Sequence, residues 1–325
     1  MKKKLVILGG SGFIGTNLLI KLSKLKNLDL HATFYKKKYF FRVPHVKYHK
    51  IDLSDYSNHP KLKKILKNSD SVFMLAAISS GAKIMENNSL SLFTPNIKFN
   101  LNIVDLCYQL KVNKLVFISS NTVYPVSNKS MREEDVNFSF FEKYYVVGWM
   151  KLFTEIICNV YSTKVKDSNL KILVVRPSNL FGPFDKYSRA KSKVIASLIR
   201  KFYERKKYIE IWGDGSDVKD FLYIEDFCNA LIHVYKKFNG FEILNISSGS
   251  SIKLTKIIDS LCKYFLVNKN ELRFNKDMPT MIPLRKMSNL KLEKKYNYKI
   301  KSDLDASLNK TISWYKENKN IYDNY

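Results

Sequence analysis

The residues near the start of the chain that are best suited to chemistry are three glycines, spaced Gly9-x-x-Gly12-x-x-Gly15. An apolar run at 4–8 precedes them, and apolar residues at helical spacing follow at 16–26. The first glycine permits a tight turn, the second lets the backbone approach a pyrophosphate, and the third lets helix and strand pack closely. The helix N-terminus then presents free N–H groups and its positive dipole end to the phosphates. This pattern predicts a dinucleotide-binding strand–turn–helix.

Strands and helices alternate along the first half of the chain and must position this loop. Apolar runs predict strands at 28–34, 46–51, 71–77, 114–118 and 171–175, with helices around 62–66 and at 91–110 and 144–161. Such alternation implies right-handed βαβ units and a doubly wound parallel sheet, and continuous apolar strands indicate burial on both faces. The predicted fold class is therefore α/β, with a Rossmann-type sheet.

The pattern changes after Arg176, where Gly182-Pro183 interrupts the chain. Helices are predicted at 194–205 and 221–235, strands at 209–212 and 241–246, and a polar helical tail at 254–325 that is interrupted by Pro279 and Pro283. We expect a smaller α/β C-terminal substrate lobe, formed by about 179–220 and 249–325. Residues 1–178, together with about 221–248, would form the dinucleotide-binding domain.

Composition narrows the class of protein. Four widely spaced cysteines, none in a Cys-x-x-Cys pair, predict reduced buried thiols without a disulfide or a metal site, as expected for a cytoplasmic protein. No apolar run approaches the about 18 residues that a membrane span requires, and the run at 4–8 is too short for a signal peptide. We therefore expect no membrane partner.

The formal net charge of +27 has two interpretations. One is a basic surface for nucleic acid or anionic lipid, and the other is a general bias of composition toward lysine. The lysines are dispersed, and no block is longer than Lys36-Lys37-Lys38. We therefore expect no nucleic-acid partner, although a positive field would attract a phosphate-bearing substrate.

Seven segments together resemble the extended short-chain dehydrogenase/reductases of the NAD-dependent epimerase/dehydratase family, and among them most closely the GDP-L-fucose synthases and related nucleotide-sugar epimerases. The segments are GGSGFIG at 9–15, Asp52-Leu53, Leu75-Ala76-Ala77, SSNTVYP at 119–125, Lys151-x-x-x-Glu155, RPSNLFGP at 176–183 and KDFLYIED at 219–226. The resemblance runs nearly end to end and implies a nucleotide-sugar substrate.

The resemblance also implies a set of cofactor contacts. Asp52 would hydrogen-bond the adenine amine with Leu53 packed nearby, Ala76 would line the cofactor channel, and Asn96 would lie beside the active site. The whole set is Gly9, Gly12, Phe13, Ile14, Gly15, Lys36, Asp52, Leu53, Leu75, Ala76, Ala77, Asn96, Lys151 and Pro177.

The end of the second predicted strand bears on the choice of dinucleotide. An acidic residue there accepts the ribose hydroxyls of NAD, whereas a basic residue accommodates the phosphate of NADP. Residues 33–38 contain three lysines and no carboxylate, which favours NADP(H) over NAD(H). The alternative is that these lysines only face solvent.

The resemblance implies that a serine after the fifth strand binds the reacting oxygen and that a tyrosine four residues before a lysine moves the proton. Ser120 and Lys151 match this pattern, but Val147 stands where the tyrosine belongs. A spacing of four places two side chains on one helix face, where the lysine charge can lower the pKa of a phenol. Valine has no proton to transfer.

Three explanations for Val147 remain open. A neighbouring phenol, from Tyr144, Tyr145 or Tyr124, can act instead, although helix packing alone also accounts for the first two. Alternatively Ser120, Thr122 or a water carries the proton while Lys151 holds the ribose. In the third explanation the protein binds cofactor and substrate without turnover.

Other departures from the family narrow the reaction. Dehydratases carry an acidic pair where this chain has Asn121 and Thr122, and fucose synthases use a cysteine and a histidine where Thr122 and Lys193 stand. The reaction left is oxidation, reduction or epimerisation at one sugar carbon, in the synthesis of surface-polysaccharide precursors. The competing hypothesis is a catalytically weak dinucleotide-binding protein.

The resemblance assigns the substrate contacts to four residues: Asn179, Lys193, Lys219 and Arg285. Two phosphates in a cleft need cationic donors, and arginine offers bidentate geometry. The family commonly forms homodimers through its two long helices, here predicted at 91–110 and 144–161, although their apolar faces could equally belong to the core.

Overall fold

A computed structural model of the chain describes residues 2–36, 40–78, 90–189, 191–205, 207–278 and 281–322. Within these ranges the largest sheet has seven strands, all parallel: β1 (Lys3–Leu8), β2 (Leu28–Phe34), β3 (Val46–Lys50), β4 (Ser71–Met74), β5 (Lys114–Ile118), β6 (Lys171–Pro177) and β10 (Phe241–Ile246). Their order across the sheet is β10-β6-β5-β4-β1-β2-β3. The strand order reverses between β1 and β4, so the predicted α/β Rossmann-type fold is confirmed.

Helices cover both faces of this sheet and pack against the two smaller sheets described below. They are α1 (Phe13–Leu22), α2 (His59–Leu66), α3 (Leu90–Gln109), α4 (Tyr145–Asn159), α5 (Val194–Glu204), α6 (Ile224–Lys237), α7 (Leu254–Phe265), α8 (Leu290–Tyr296) and α9 (Leu304–Tyr322). Alternate residues of β1 enter different cores: Ile7 packs with Leu18 of α1, whereas Val6 packs with Ile103 of α3. Because successive strand residues point to opposite faces, burial on both sides explains the continuous apolar runs.

Two smaller sheets are built from the second half of the chain. Strand β9 (Val218–Tyr223) pairs with β7 (Asn179–Phe181), β11 (Ser251–Lys253) and β13 (Leu284–Arg285). Strand β8 (Ile209–Trp212) pairs with β12 (Leu272–Asn275). The predicted helix over 221–235 is therefore wrong at its start, where 221–223 belong to β9. The tail predicted as helical over 254–325 contains the strands β12 and β13.

Four buried cysteines are free thiols: Cys107, Cys158, Cys228 and Cys262. Burial raises the pKa of each thiol, which keeps it protonated and unreactive. The prediction that the four cysteines are buried is confirmed. In the part of the chain that the structure describes, no helix is long and apolar enough to cross a bilayer. The described His, Cys, Asp and Glu side chains form no group of three that could hold a metal.

Candidate active site

The glycine loop between β1 and α1 has a backbone that larger residues would disturb. Gly9 has a φ of +88°, in the left-handed region, and its N–H donates to Thr33 Oγ1 at 2.9 Å. Gly12 N–H donates back to Gly9 O at 3.0 Å. A Cβ on Gly15 would lie 2.3 Å from that same carbonyl oxygen. The loop is thus closed so tightly that only glycine fits at its third position.

This loop fits the pyrophosphate of a dinucleotide. It lies where the sheet order reverses, in contact with the chain after β4, because a Cβ on Gly9 would lie 2.8 Å from Ala76 N and Cα. Helix α1 begins with Phe13 and Ile14, and none of the described side chains caps its N-terminus at Gly12, so backbone N–H groups of its first turn face the crevice. The structure thus brings Gly9, Gly12, Gly15 and Ala76 together as predicted from the sequence.

Asn96 of α3 supports the other wall of the crevice. Its Oδ1 accepts from Ile78 N–H at 3.0 Å and its Nδ2 donates to Ile78 O at 3.0 Å. Leu75 N–H donates to Leu8 O at 3.0 Å, so the segment Leu75–Ile78 is held at both ends. Asn96 is buried, and its side chain fixes the backbone that carries Ala76 and Ala77.

The ends of β2 and β3 form a polar patch farther along the crevice. Asp52 accepts from Ser54 N–H at 3.0 Å and Ser54 Oγ at 2.6 Å, and Leu53 beside it is half-buried. Burial by itself raises the pKa of Asp52, but the hydrogen bonds from Ser54 and Tyr35 outweigh that effect and lower it. Lys36 is exposed, with its Nζ 5.2 Å from the Tyr35 ring centroid.

Sequence reasoning missed a second cation in this patch. The exposed Arg42 guanidinium lies 5.1–5.4 Å from the ring centroids of Phe34, Phe40 and Tyr48. Phe34 is the last residue of β2, so these rings place Arg42 near the position that distinguishes the two dinucleotides. The available signal was an arginine among closely spaced aromatic residues.

The predicted catalytic residues gather at the carboxyl end of β5. Ser120 caps a short 3₁₀-helix, Asn121–Val123, and its Oγ accepts from Thr122 N–H at 3.2 Å. Thr122 Oγ1 is buried and has no hydrogen-bond partner among the described residues. Lys151 on α4 is half-buried, and its Nζ donates to Ile118 O at 2.8 Å. Burial lowers the pKa of Lys151 to about 8, although the charge of Glu155 partly opposes this shift.

A buried polar network lies beneath these residues. Glu155 accepts from Ser119 Oγ and forms an ion pair with Arg176, with Nη2–Oε2 at 2.6 Å and Nε–Oε1 at 3.0 Å. Arg176 Nη1 also donates to the Tyr124 hydroxyl at 2.9 Å, and that hydroxyl donates to Asn245 Oδ1 at 2.7 Å. Burial raises the pKa of Tyr124. Tyr124 is therefore held inside the core, and the interpretation that it replaces the missing catalytic phenol is wrong.

The two other candidate phenols differ in their surroundings. Tyr144 is half-buried just before α4, and burial raises its pKa to about 12, although Arg285 and the backbone of Ile282 oppose the shift. Tyr145 is 55% exposed, and its ring centroid lies 6.4 Å from that of Trp149. Tyr144 therefore faces the candidate substrate side, and Tyr145 belongs to an aromatic cluster at the surface.

Arg285 is the most buried of the predicted substrate cations, with 1% exposure. Its Nη1 donates to Pro125 O at 2.8 Å and its Nη2 to Tyr124 O at 3.0 Å, while Nε has no partner among the described residues. Burial lowers the pKa of Arg285 to about 10, although Tyr144 and Tyr124 partly oppose the shift. Its guanidinium thus ties β13 to the loop that follows Ser120.

The three other predicted substrate residues differ from one another in their exposure and in their partners. Lys219 is the β9 partner of Arg285 across the small sheet and forms an ion pair with Asp217 at 2.5 Å. Asn179 lies two residues after Pro177, the last residue of β6, and its Nδ2 donates to Asp220 O at 2.9 Å. Lys193 is exposed at the start of α5. The structure therefore groups Arg285, Lys219 and Asn179 on neighbouring strands, and it does not tie Lys193 to them.

The doubly wound sheet and the closed glycine loop define a Rossmann-type nucleotide-binding protein. A profile of the NAD dependent epimerase/dehydratase family matches residues 5–247, and the chain belongs to this family. The family consists of NAD(P)-dependent enzymes acting on nucleotide sugars, so the resemblance drawn from the sequence motifs is confirmed.

Individual relatives agree with this assignment. The GDP-L-fucose synthase of Sinorhizobium fredii is 27% identical over 279 residues, which span 83% of this chain and 86% of that protein. The UDP-N-acetylglucosamine 4-epimerase of Methanobrevibacter ruminantium, solved with UDP-N-acetylmuramic acid, has a TM-score of 0.83 at 23% identity over 98% of this chain and 99% of that one. MoeE5, solved with UDP-glucuronic acid and NAD, has a TM-score of 0.81 at 21% identity over 97% and 99%. These two structures show that the fold is shared.

Proposed function

We propose that this protein is an NAD(P)-dependent nucleotide-sugar epimerase or reductase. It would oxidise, reduce or epimerise one sugar carbon, C4 of a GDP- or UDP-sugar, in the synthesis of surface-polysaccharide precursors. The observation that carries the proposal is the arrangement of one crevice: the glycine loop after β1, and Ser120, Thr122 and Lys151 around the end of β5. In open α/β sheets, ligands bind outside the carboxyl ends of the strands.

Different residues of the crevice would bind the cofactor and orient the substrate. The backbone of Gly9–Gly15 and the first turn of α1 hold the pyrophosphate, and Ala76 leaves room for the cofactor beside the loop. A bound nicotinamide supplies a centre that accepts or returns a hydride. Ser120 orients the reacting oxygen of the sugar, and the unpartnered hydroxyl of Thr122 gains a partner from the substrate.

Lys36 and Arg42 support NADP(H) over NAD(H). Both are exposed cations near the end of β2, where a 2′-phosphate is accommodated in dinucleotide-binding folds. Arg42 is held over three aromatic rings, so its guanidinium is oriented before a phosphate arrives. Asp52 would meet the adenine amine on the neighbouring strand.

The second half of the chain supports a substrate lobe. We assign residues 1–178 and about 221–248 to the dinucleotide-binding domain, and about 179–220 and 249–325 to the lobe. Arg285, Lys219 and Asn179 lie on its paired strands, and with Lys193 they would meet the diphosphate and sugar. A GDP-sugar is favoured by the likeness to a GDP-L-fucose synthase.

We also propose a cytoplasmic homodimer. Four reduced, buried cysteines suit a reducing compartment. Leu101 of α3, Phe153 and Ile156 of α4, and Val160 directly after α4 are each 41–44% exposed. Apolar side chains on two adjacent helices form the kind of patch that a second copy of the chain would cover.

Val147 favours one alternative, a dinucleotide-binding protein with little or no turnover. To decide, we would titrate the purified protein with NADH and NADPH by nicotinamide fluorescence, and then add GDP-, UDP-, dTDP- and CDP-sugars. Binding followed by a change in nicotinamide absorbance, or by formation of an epimer, supports the enzyme. Tight binding without any turnover supports the alternative, and no binding would contradict both.

A further inference from the structure

The structure limits which side chains around the end of β5 can move a proton. Tyr124 is committed to Arg176 and Asn245 inside the core. Glu155 is committed to Arg176 and Ser119. Tyr144 lies beside Arg285 and the backbone of Ile282, and burial raises the pKa of its phenol to about 12, far from neutral pH. Glu133 belongs to the network beneath, where its Oε1 accepts from Asn245 N–H at 2.7 Å. Lys151 is then the titratable side chain left at this edge among the described residues.

We propose that Lys151 is itself the proton-transferring catalytic residue, alternating between ammonium and amine. This inference rests on the proposed function and extends it, because it names the group that acts in place of the phenol that Val147 cannot supply. It goes beyond the ribose contact expected of Lys151, in which its charge stays fixed.

The surroundings of Nζ suit this role. Nζ makes one hydrogen bond, to Ile118 O at 2.8 Å, and lies 4.9 Å from the Phe117 ring centroid. An ammonium has three donors, so two of them have no protein partner among the described residues. The carbonyl that accepts this bond belongs to Ile118, two residues before Ser120 in the chain, so the other donors are available to a sugar oxygen that Ser120 orients.

No carboxylate of the described residues forms an ion pair with Lys151. Glu155, one helical turn away, directs both of its oxygens at Arg176. A half-buried lysine that lacks a counterion gives up its proton more easily than an exposed one, and the pKa of about 8 agrees with that expectation. A catalytic acid or base works best when its pKa is close to the working pH.

The proton balance is simple. Oxidation of a sugar hydroxyl breaks one O–H bond and one C–H bond and leaves a carbonyl group. The amine of Lys151 takes the proton of the O–H bond and becomes an ammonium, and a bound oxidised nicotinamide would supply the acceptor for the hydride of the C–H bond. On reduction the ammonium returns its proton to the carbonyl oxygen.

The test compares Lys151→Arg with wild type and with Lys114→Arg. Arginine keeps the charge and the ability to hold a ribose, but it does not lose its proton in proteins. Lys114, at the start of β5, the strand that ends at Ile118, is a matched control: its Nζ also donates to a backbone carbonyl, Tyr235 O at 3.0 Å, and lies 4.5 Å from the Phe238 ring centroid.

We expect Lys151→Arg to bind NADPH within about threefold of wild type, while turnover falls by the roughly 10²–10⁴-fold that general acid–base catalysis provides. Wild-type turnover in the oxidative direction should rise with pH to a plateau above about 8, as Lys151 loses its proton. Lys114→Arg should leave binding, turnover and the pH profile unchanged. Lysine NMR of the ¹³C-methylated protein should show one resonance titrating near that pH, and Lys151→Arg should lack it.

Two results would overturn the proposal, and they can be told apart. If Lys151→Arg keeps more than about a tenth of wild-type turnover, a water, Ser120 or Thr122 moves the proton and the enzyme assignment survives. If Tyr144→Phe abolishes turnover in that same series, the phenol is the missing group. If wild type turns over no nucleotide sugar, the proposed function itself fails, whatever the NMR titration shows.

Discussion

Val147 lies on α4 one turn before Lys151, half-buried, and the next residue packs tightly against the loop after Ser120. A Cβ on Gly148 would come within 2.9 Å of Thr122 O. The side chains of this helical turn are therefore held at a fixed distance from the loop that carries Ser120 and Thr122. The identity of residue 147 decides whether Lys151 acts alone or serves a phenol.

Val147→Tyr tests which of these holds. A phenol at this position would hydrogen-bond Lys151 across one helical turn and compete for its free donors, so we expect kcat/KM to stay level or to fall. Val146→Tyr, one position away on a different face of the helix, is the control. A gain of tenfold or more in Val147→Tyr alone would mean that the site is a decayed version of the tyrosine-dependent one.

Glu155→Gln tests the buried network. Glu155 and Arg176 are each 2% exposed, so the substitution leaves a buried guanidinium without its counterion. We expect the free energy of unfolding to fall by about 3–5 kcal/mol, measured by urea denaturation. Glu204→Gln, whose carboxylate is 35% exposed and 3.4 Å from Arg200, should cost about 0–1 kcal/mol. If the free energy of unfolding falls equally in the two variants, the ion pair of Glu155 with Arg176 does not stabilise this region more than a surface pair does.

At this scale the sequence predicted the cofactor loop better than the reacting site. The spacing of Gly9, Gly12 and Gly15 is dictated by local backbone geometry, so the loop can be predicted from residues that are close together in the sequence. The hydrogen-bond partners of Tyr124 and Arg285 could not be predicted, because they are 121 and 160 residues away along the chain. Only the folded chain shows that Tyr124 is committed to the core.

Helix α1 and the glycine loop form one unit, and the packing between them depends on Gly15. Gly15→Ala places a methyl group 2.3 Å from Gly9 O, so loop and helix must separate. Such overpacking costs about 1–3 kcal/mol, and about 1.4 kcal/mol on the bound state is a tenfold loss of affinity. We therefore expect NADPH affinity to fall about tenfold or more by fluorescence titration, with circular dichroism unchanged.

Gly240→Asn is the control for that substitution. Gly240 has a φ of +71° with nothing within 4 Å of a Cβ, and asparagine tolerates this backbone region. Cofactor affinity should stay at the wild-type value. If Gly15→Ala binds NADPH as tightly as the control does, the loop is not the pyrophosphate site.

The edge formed by β2 and β3 carries two stacked histidines. His31 Nδ1 and His49 Nε2 are 2.9 Å apart, and His31 Nε2 is 3.1 Å from Asp29 Oδ2. Burial lowers the pKa of both imidazoles, Asp29 opposes the shift at His31, and the nearby charges of His31, Lys4, Lys61 and Lys47 add to it at His49. The folded protein therefore binds fewer protons here than the unfolded chain.

Stability should accordingly fall as the pH falls through the unfolded histidine pKa of about 6.5, because the unfolded state takes up protons first. Stability continues to fall with pH until the pH reaches the lowered pKa values that His31 and His49 have in the folded protein. Urea denaturation between pH 7 and pH 5 should show a shallower decline in His49→Gln than in wild type. His45→Asn, at an exposed histidine, should follow wild type. A slope unchanged by His49→Gln would rule out the pair as its source.

Among the elements, strands with local apolar runs were predicted best. The predicted bounds of β2, β5, β8 and β10 agree with the structure residue for residue. Strand β9 was misread because FLYIEDF carries helical spacing, and only its pairing with β7 and β13 makes residues 218–223 extended. Two-residue and three-residue strands such as β13 and β11 have no periodicity to detect.

For the whole molecule, the exposed face of α3 and α4 sets the expected assembly. Phe153→Glu places a charge in the middle of that face and should convert the dimer to a monomer in sedimentation velocity. Leu290→Glu is the control, because Leu290 is 43% exposed like Phe153 but lies on α8. A monomeric wild type, or a Phe153→Glu variant that stays dimeric, would exclude this interface.

Strand β10 joins the large sheet beside β6 only after the chain has passed through residues 178–240. A ribosome adding ~5–20 residues per second needs roughly 3–13 s to make that stretch. During this interval the apolar β6 has no neighbour on its outer side, and an unpaired strand edge invites association with other nascent chains. Rare codons within 178–240 would lengthen that interval, so the yield of soluble protein should depend on the translation speed of this segment.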